Sequence, residues 1–185
     1  MLTTGLLGLL EKAFEYYLYD WFYQYYCKEK NDLDERDRRT RKAVQNMYKC
    51  CYYSCATFFG YVTLKDSYIL PPGLGGSGSL WNQFRDFPYI THPYAYRFYF
   101  TGTMGFHLAG LLNHFFAKKK HNDYIEMMLH HIVTAYLFGF SYMTNTLIGA
   151  VVAFIHDATD ILITWTRVWA ETECKNVTGY SFALA

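Results

Sequence analysis

The sequence is poor in the features that would mark a disulfide- or zinc-built domain. Its five cysteines are an odd number, with no Cys-x-x-Cys pair and no metal-type spacing. Cys50, Cys51 and Cys55 lie in an apolar run and read as small buried thiols, with palmitoylation or redox chemistry as the alternatives. Charge of one sign is also lacking. The formal net charge is +1, and the basic residues of segment 28–46 are interleaved with acidic ones, which removes any argument for nucleic acid as a partner. No basic stretch leads into a compact apolar run with a small-residue cleavage site, so a cleaved signal peptide is not indicated. Proline is nearly absent: Pro71, Pro72, Pro88 and Pro93 all fall between Lys65 and Tyr94, beside Gly73, Gly75, Gly76 and Gly78. That stretch reads as a long loop, and everything outside it is free to be helix. Its piece GLGGSGS has no following Lys-Ser/Thr and no preceding strand, so it is expected to be flexible linker and not a phosphate loop.

Aromatic residues are abundant, with 19 Tyr and 15 Phe among 185 residues. The mean hydropathy is that of an ordinary soluble domain, but the average hides a segregation of charges into 28–46 and 117–126. At about 20 residues per crossing, four membrane spans are expected, near 44–64, 94–116, 124–143 and 147–168. The alternative is a soluble helical bundle, which has little reason to carry rings on nearly every helix face. Residues 1–27 read as an interfacial helix or a first crossing, 28–43 as a charged cytosolic segment, and 44–185 as the main domain. Two crossings separate the basic segment 28–46 from Lys118, Lys119 and Lys120. Both then face the cytosol, and the Pro/Gly loop lies on the far side with Trp81, Phe87 and Tyr89 near the interface.

None of the four spans is cleanly apolar. The second carries Arg97, His107 and His114; the last two carry Glu126, His130, His131, His156, Asp157 and Asp160. Ionisable groups are costly in a bilayer and mark a functional site by default. Thr144, Asn145 and Thr146 break the last two spans. His130 and His131 precede that break by about as many residues as Asp157 and Asp160 follow it, so an antiparallel hairpin brings them level, roughly 20 Å from the turn. His156 and Asp160 share a helix face, as do Asp157 and Asp160. A carboxylate beside an imidazole fixes its tautomer and makes it a better base or nucleophile. The structural alternative is a set of interhelical hydrogen bonds that hold the hairpin together. There is no Gly-x-Ser-x-Gly elbow, and Ser141 lies near the turn, away from the imidazoles. The seven histidines form no HxxxH or HxxHH box of a di-iron oxygenase, whereas acyl transfer by histidine needs only what is present.

The run HHIVTAYLFGFSYMTNTLIGAVVAFIHDATDIL resembles the Lag motif of ceramide synthases in the TLC family, at His130, His131, Leu137, Ser141, Tyr142, Asn145, Gly149, His156, Asp157 and Asp160. The lead-in DYIEMMLHH and the stretch LWNQFRDFPYITHPYAYRFYFTGTMGFHLAGLL are similar to the family's approach to its His pair and to its Trp-bearing loop and following helix. Thr164 and Arg167 depart from it, standing where the family has an acidic residue and a lysine. The resemblance implies an all-α, polytopic transmembrane bundle of the endoplasmic reticulum, truncated here because TLC domains continue through one or two further helices. It implies N-acylation of a sphingoid base by a fatty acyl-CoA, with no further cofactor and no metal. His130, His131, Asp157 and Asp160 would be catalytic, and Ser141, Tyr142, Asn145 and His156 substrate-binding. The expected partners are membrane lipid, the sphingoid base and the acyl-CoA, which would approach the cytosolic Lys118, Lys119, Lys120 and Arg167; a homodimer is left open. The alternative from another class is a non-catalytic TLC protein that binds, senses or transports lipid.

Overall fold

The computed structural model describes residues 2–25, 32–85, 87, 89, 91, 93–116, 124–172 and 175–184. The connection 117–123 with Lys118, Lys119 and Lys120, and residues 26–31 of the charged segment, lie outside them, as does the side chain of Glu126. Among the described residues the fold is all helical: α1 (Leu2–Tyr25), α2 (Leu33–Leu64), α3 (Tyr94–Phe115), α4 (Tyr124–Met143), α5 (Ile148–Ala170) and α6 (Lys175–Leu184).

The expected spans end where these helices end, but α2 begins at Leu33 and not near 44. The reason is local. Asp32 accepts the backbone N–H of Asp34 at 3.1 Å and so caps the helix, while Asp34 and Glu35 in the first turn favour its positive end. Arg38 and Arg39 then pair with Glu35 at 2.7 and 3.0 Å, and Arg41 with Asp37 at 3.1 Å, so the charges support helix at one-turn spacing. The same surface holds α1. Arg41 reaches Glu15 at 2.6 Å, Tyr19 donates to Asp37, and the Arg36 guanidinium lies 3.9 Å over the Tyr23 ring. Hydrogen bonds from Tyr19 and then Arg41 hold the Asp37 carboxyl below its ordinary value.

The chain divides into two compact units. One is Phe58–Ile155 with the start of α1; the other is Gly5–Thr57 with His156–Ala185. The second unit is centred on Phe22, Ala43, Val44 and Val168. In the first, Tyr96, Tyr99 and Phe100 of α3 pack with Phe138 of α4 and with Ala150, Val151 and Ala153 of α5. Tyr99 has room because Gly60 faces it: a Cβ on Gly60 would stand 2.8 Å from the ring and hydroxyl.

The Pro/Gly stretch is not a flexible linker. Ile69 and Leu70 are fully buried within the first unit, and Gly78 and Ser79 donate their N–H groups to the carbonyls of Leu70 and Tyr68 at 2.7 and 3.0 Å. Its glycines are there for close approach: a Cβ on Gly78 would lie 2.2 Å from the Tyr68 backbone. Gly75, at φ 82°, turns the chain after the short 3-10 turn Pro72–Leu74. A second such turn, Leu80–Phe84, is capped by Ser79 and carries Trp81 almost fully outside, 91% exposed.

Among the described residues α5 alone is long and apolar enough to cross a membrane by length and composition. Tyr, His and Thr dilute the average of the others. Their distribution is nevertheless inverted relative to a soluble bundle. On α4 the exposed side chains include Ile125, Leu129, Ile132, Val133, Tyr136, Leu137, Phe140 and Met143, while His131, Thr134 and Ser141 are buried. On α5 Asp157, Thr164 and Thr166 are buried, and Val152, Ile155, Leu162 and Ile163 are exposed. Of the α2 cysteines Cys50 is buried, but Cys51 and Cys55 lie on the exposed side, unlike the expected buried trio.

The turn between α4 and α5 is closed by Ser141. Its hydroxyl accepts the N–H of Gly149 at 3.1 Å and donates to the Thr146 carbonyl at 2.9 Å, while Asn145 takes the left-handed conformation at φ 57°. A Cβ on Gly149 would fall 2.1 Å from the Ser141 oxygen. Gly149→Ala should therefore lower stability by about 1–3 kcal/mol, the range of overpacking in a tight core. An unfolding midpoint in detergent equal to that of the parent would contradict this close approach.

Candidate active site

In the first unit, α3 and α4 bring four imidazoles together. His107 is 0% exposed, His131 is buried, and His130 and His114 are partly buried. The ring centroids of His130 and His131 are 5.4 Å apart. Those of His107 lie 6.5 and 6.1 Å from His130 and His131, and His114 lies 6.2 Å from His131. Phe138 closes the inner side, edge-on to His107 at 5.5 Å. Close packing of the two helices depends on Gly110, since a Cβ there would come within 3.0 Å of the His131 ring.

In the second unit, α5 carries His156, Asp157 and Asp160. His156 Nδ1 lies 3.4 Å from the Asp160 carboxylate, one helical turn away, and 4.0 Å from that of Asp157. Asp157 is 0% exposed. Across from them, the buried Tyr53 of α2 hydrogen-bonds to Asp160 and feels the charge of Asp157. Thr164 donates to the Asp160 backbone carbonyl at 2.6 Å. A carboxylate shared by a phenol and an imidazole has its orientation fixed by both, and it fixes the imidazole tautomer in return.

The eight residues expected at the site fall into three places. His130 and His131 stand together in the first unit, and His156, Asp157 and Asp160 together in the second. Ser141 and Asn145 build the α4–α5 turn. Tyr142 stacks on Phe100, with ring centroids 5.7 Å apart. Reading the sequence left His107, His114 and Tyr53 unassigned. The two histidines had a usable signal, because positions seven apart with a glycine between them mark one helix face with a notch in it. Tyr53 had none, lying among many tyrosines of a long helix with its partner over a hundred positions away.

Chemically, an imidazole pair can take up a proton or attack an electrophilic carbonyl, and carboxylates that orient an imidazole strengthen either action. The profile of the TLC domain matches residues 42–184. The chain belongs to the TLC-domain family. This TLC chain is similar to ceramide synthase hyl-2 of Caenorhabditis elegans, 26% identical over 131 residues that make up 70% of the chain and 37% of that protein. It is 25% identical to ceramide synthase LOH2 of Arabidopsis thaliana over 77% of the chain and 46% of that protein, and 29% identical to ceramide synthase 4 of Mus musculus over 72% and 32%. The TLC chain thus spans less than half the length of these relatives. No solved structure matches it.

The shared carboxylate is open to a direct check. In a double-mutant cycle of Tyr53→Phe and Asp160→Asn, unfolding of the purified protein should report a coupling of roughly 0.5–3 kcal/mol, the range for groups in contact. Additive effects would mean that phenol and carboxylate do not pair.

Proposed function

We propose that this protein is an N-acyltransferase of the ceramide synthase type, which joins a fatty acyl group from acyl-CoA to the amine of a long-chain base. The observation that carries this reading is the His130–His131 pair, held on the inward side of a helix whose outward side is apolar, within the domain family of the named ceramide synthases. One imidazole of the pair deprotonates the attacking amine or carries the acyl group transiently. Both routes use the same two rings. Asp157 and Asp160 of α5 serve as catalytic carboxylates, and the neighbouring His156 as a substrate-binding residue. Ser141, Tyr142 and Asn145 serve as further substrate-binding residues.

The inverted distribution of side chains supports a membrane setting, and the likeness to ceramide synthases leads to a multi-pass protein of the endoplasmic reticulum as the proposed placement. Apolar exposed faces on α3, α4 and α5 suit lipid, and inward Thr, Ser, His and Asp suit a substrate path between helices. The polyanionic acyl-CoA would enter from the side of Arg167 and of the lysines at 118–120.

A microsomal assay with sphinganine and acyl-CoA tests the activity, and formation of the N-acylated base is expected. Absence of product would favour the reading as a lipid-binding protein. His130→Ala, His131→Ala, Asp157→Asn and Asp160→Asn should each reduce turnover by about 10²-fold or more, the scale of positioned acid-base groups. Pairs of these changes should cost little more than one, since residues acting as a unit are not additive. Mutants that keep activity in proportion to their protein level would leave the four residues a structural role only.

Topology is tested separately. Cysteine labelling should place residues 28–46 and 117–123 on the same, cytosolic face, opposite the loop bearing Trp81. Labelling of the two basic segments from opposite faces would overturn the arrangement of crossings.

A further inference from the structure

Acylation of a long-chain base leaves a proton to be disposed of. The base arrives as an ammonium and leaves as a neutral amide: the N–C bond forms, the C–S bond of the thioester breaks, and nitrogen gives up two protons. One goes to the departing sulfur, and the other must leave the site at every turnover. His131 is buried and His130 partly so, and a proton taken up by His131 needs a path outward.

The first unit contains such a path. His107 and His114 lie two helical turns apart on one face of α3, with Gly110 between them. The His131 ring occupies the notch this glycine leaves, its Cε1 and Nε2 being 3.0 and 3.3 Å from where a Cβ would stand. From that notch its centroid is 6.1 Å from His107 and 6.2 Å from His114, close enough for ring edges to be linked by one hydrogen bond or one bridging water. Exposure rises along the row, from the fully buried His107 through the nearly buried His131 to the partly exposed His114 at the end of α3.

His114 is prepared to receive a proton. Its Nε2–H donates to the Tyr124 backbone carbonyl at 3.2 Å, and because a carbonyl can only accept, the neutral ring carries its hydrogen on Nε2 and keeps Nδ1 as the acceptor. The ring is also stacked on that of Tyr124, with centroids 4.8 Å apart and planes 12° from parallel. Among the described residues, the rings that meet His114 are those of Tyr124 and His131. We propose that His114 is a proton-relay residue, taking the proton released by acylation from His131 and passing it to water at the α3–α4 end of the unit. This inference rests on the acyltransferase reading and extends it to a residue that does not touch substrate.

The test is His114→Gln, whose amide retains a donor for the Tyr124 carbonyl but cannot relay a proton. In the reconstituted protein, kcat should fall about tenfold, less than for a group at the reacting bond, with KM for both substrates and the unfolding temperature unchanged. Millimolar imidazole in the buffer should restore the rate in a saturable way, because a diffusible base replaces the missing relay. A kcat equal to that of the parent, or a loss that imidazole does not restore, overturns the relay while leaving the acyltransferase reading intact. A parent protein that acylates no long-chain base overturns the functional reading and the relay with it.

Discussion

The hydroxyl of Ser141 sets the geometry on which the first unit depends. By accepting from Gly149 and donating to Thr146 it closes the turn between α4 and α5 and fixes how far each helix has rotated when it leaves the turn. That rotation puts Phe138 against Phe100, with ring centroids 5.8 Å apart, and carries Thr134 and His131 to the inward side at one-turn intervals further along α4. A helix turned by about a third of a revolution would present Ile132 to α3 instead of His131. Position 149 must be glycine for the same reason, because any side chain would occupy the space of the hydroxyl.

Much of the fold was legible in the sequence where backbone chemistry is unambiguous. Pro93 before α3 and the Thr144–Asn145–Thr146 break after α4 gave boundaries within a residue or two of those observed. At α2 the sequence marked a charged segment and a crossing from 44 but not that one helix runs through both: the charges are spaced to pair along a helix, and Asp32 caps it. Glycine density misled at GLGGSGS, where close backbone approach and not mobility demands the residues. At the candidate site the motif supplied the histidine pair and the carboxylates. It was silent on His107, His114 and Tyr53, whose importance comes from neighbours on other helices that no local pattern encodes.

Average hydropathy and surface chemistry give different pictures of α3 and α4, and the reason is the location of the polar atoms. A window average counts a buried histidine or threonine against the helix as heavily as an exposed one. Sorted by exposure, α4 keeps His131, Thr134 and Ser141 inside and turns aliphatic and aromatic side chains outward. Tyrosine adds to the effect, since it lowers the average although most of its surface is a ring.

The loop after α2 has a mechanical consequence. Leu70 and Tyr68 accept from Gly78 and Ser79, Asn82 donates to the Tyr68 carbonyl at 2.9 Å, and Ile69 and Leu70 are wedged beneath, so the segment 68–82 forms a closed bracket after the end of α2. Every strut of that bracket is a contact between protein atoms. The shape of the bracket is therefore set within the polypeptide, so it should stay the same whatever surrounds the unit.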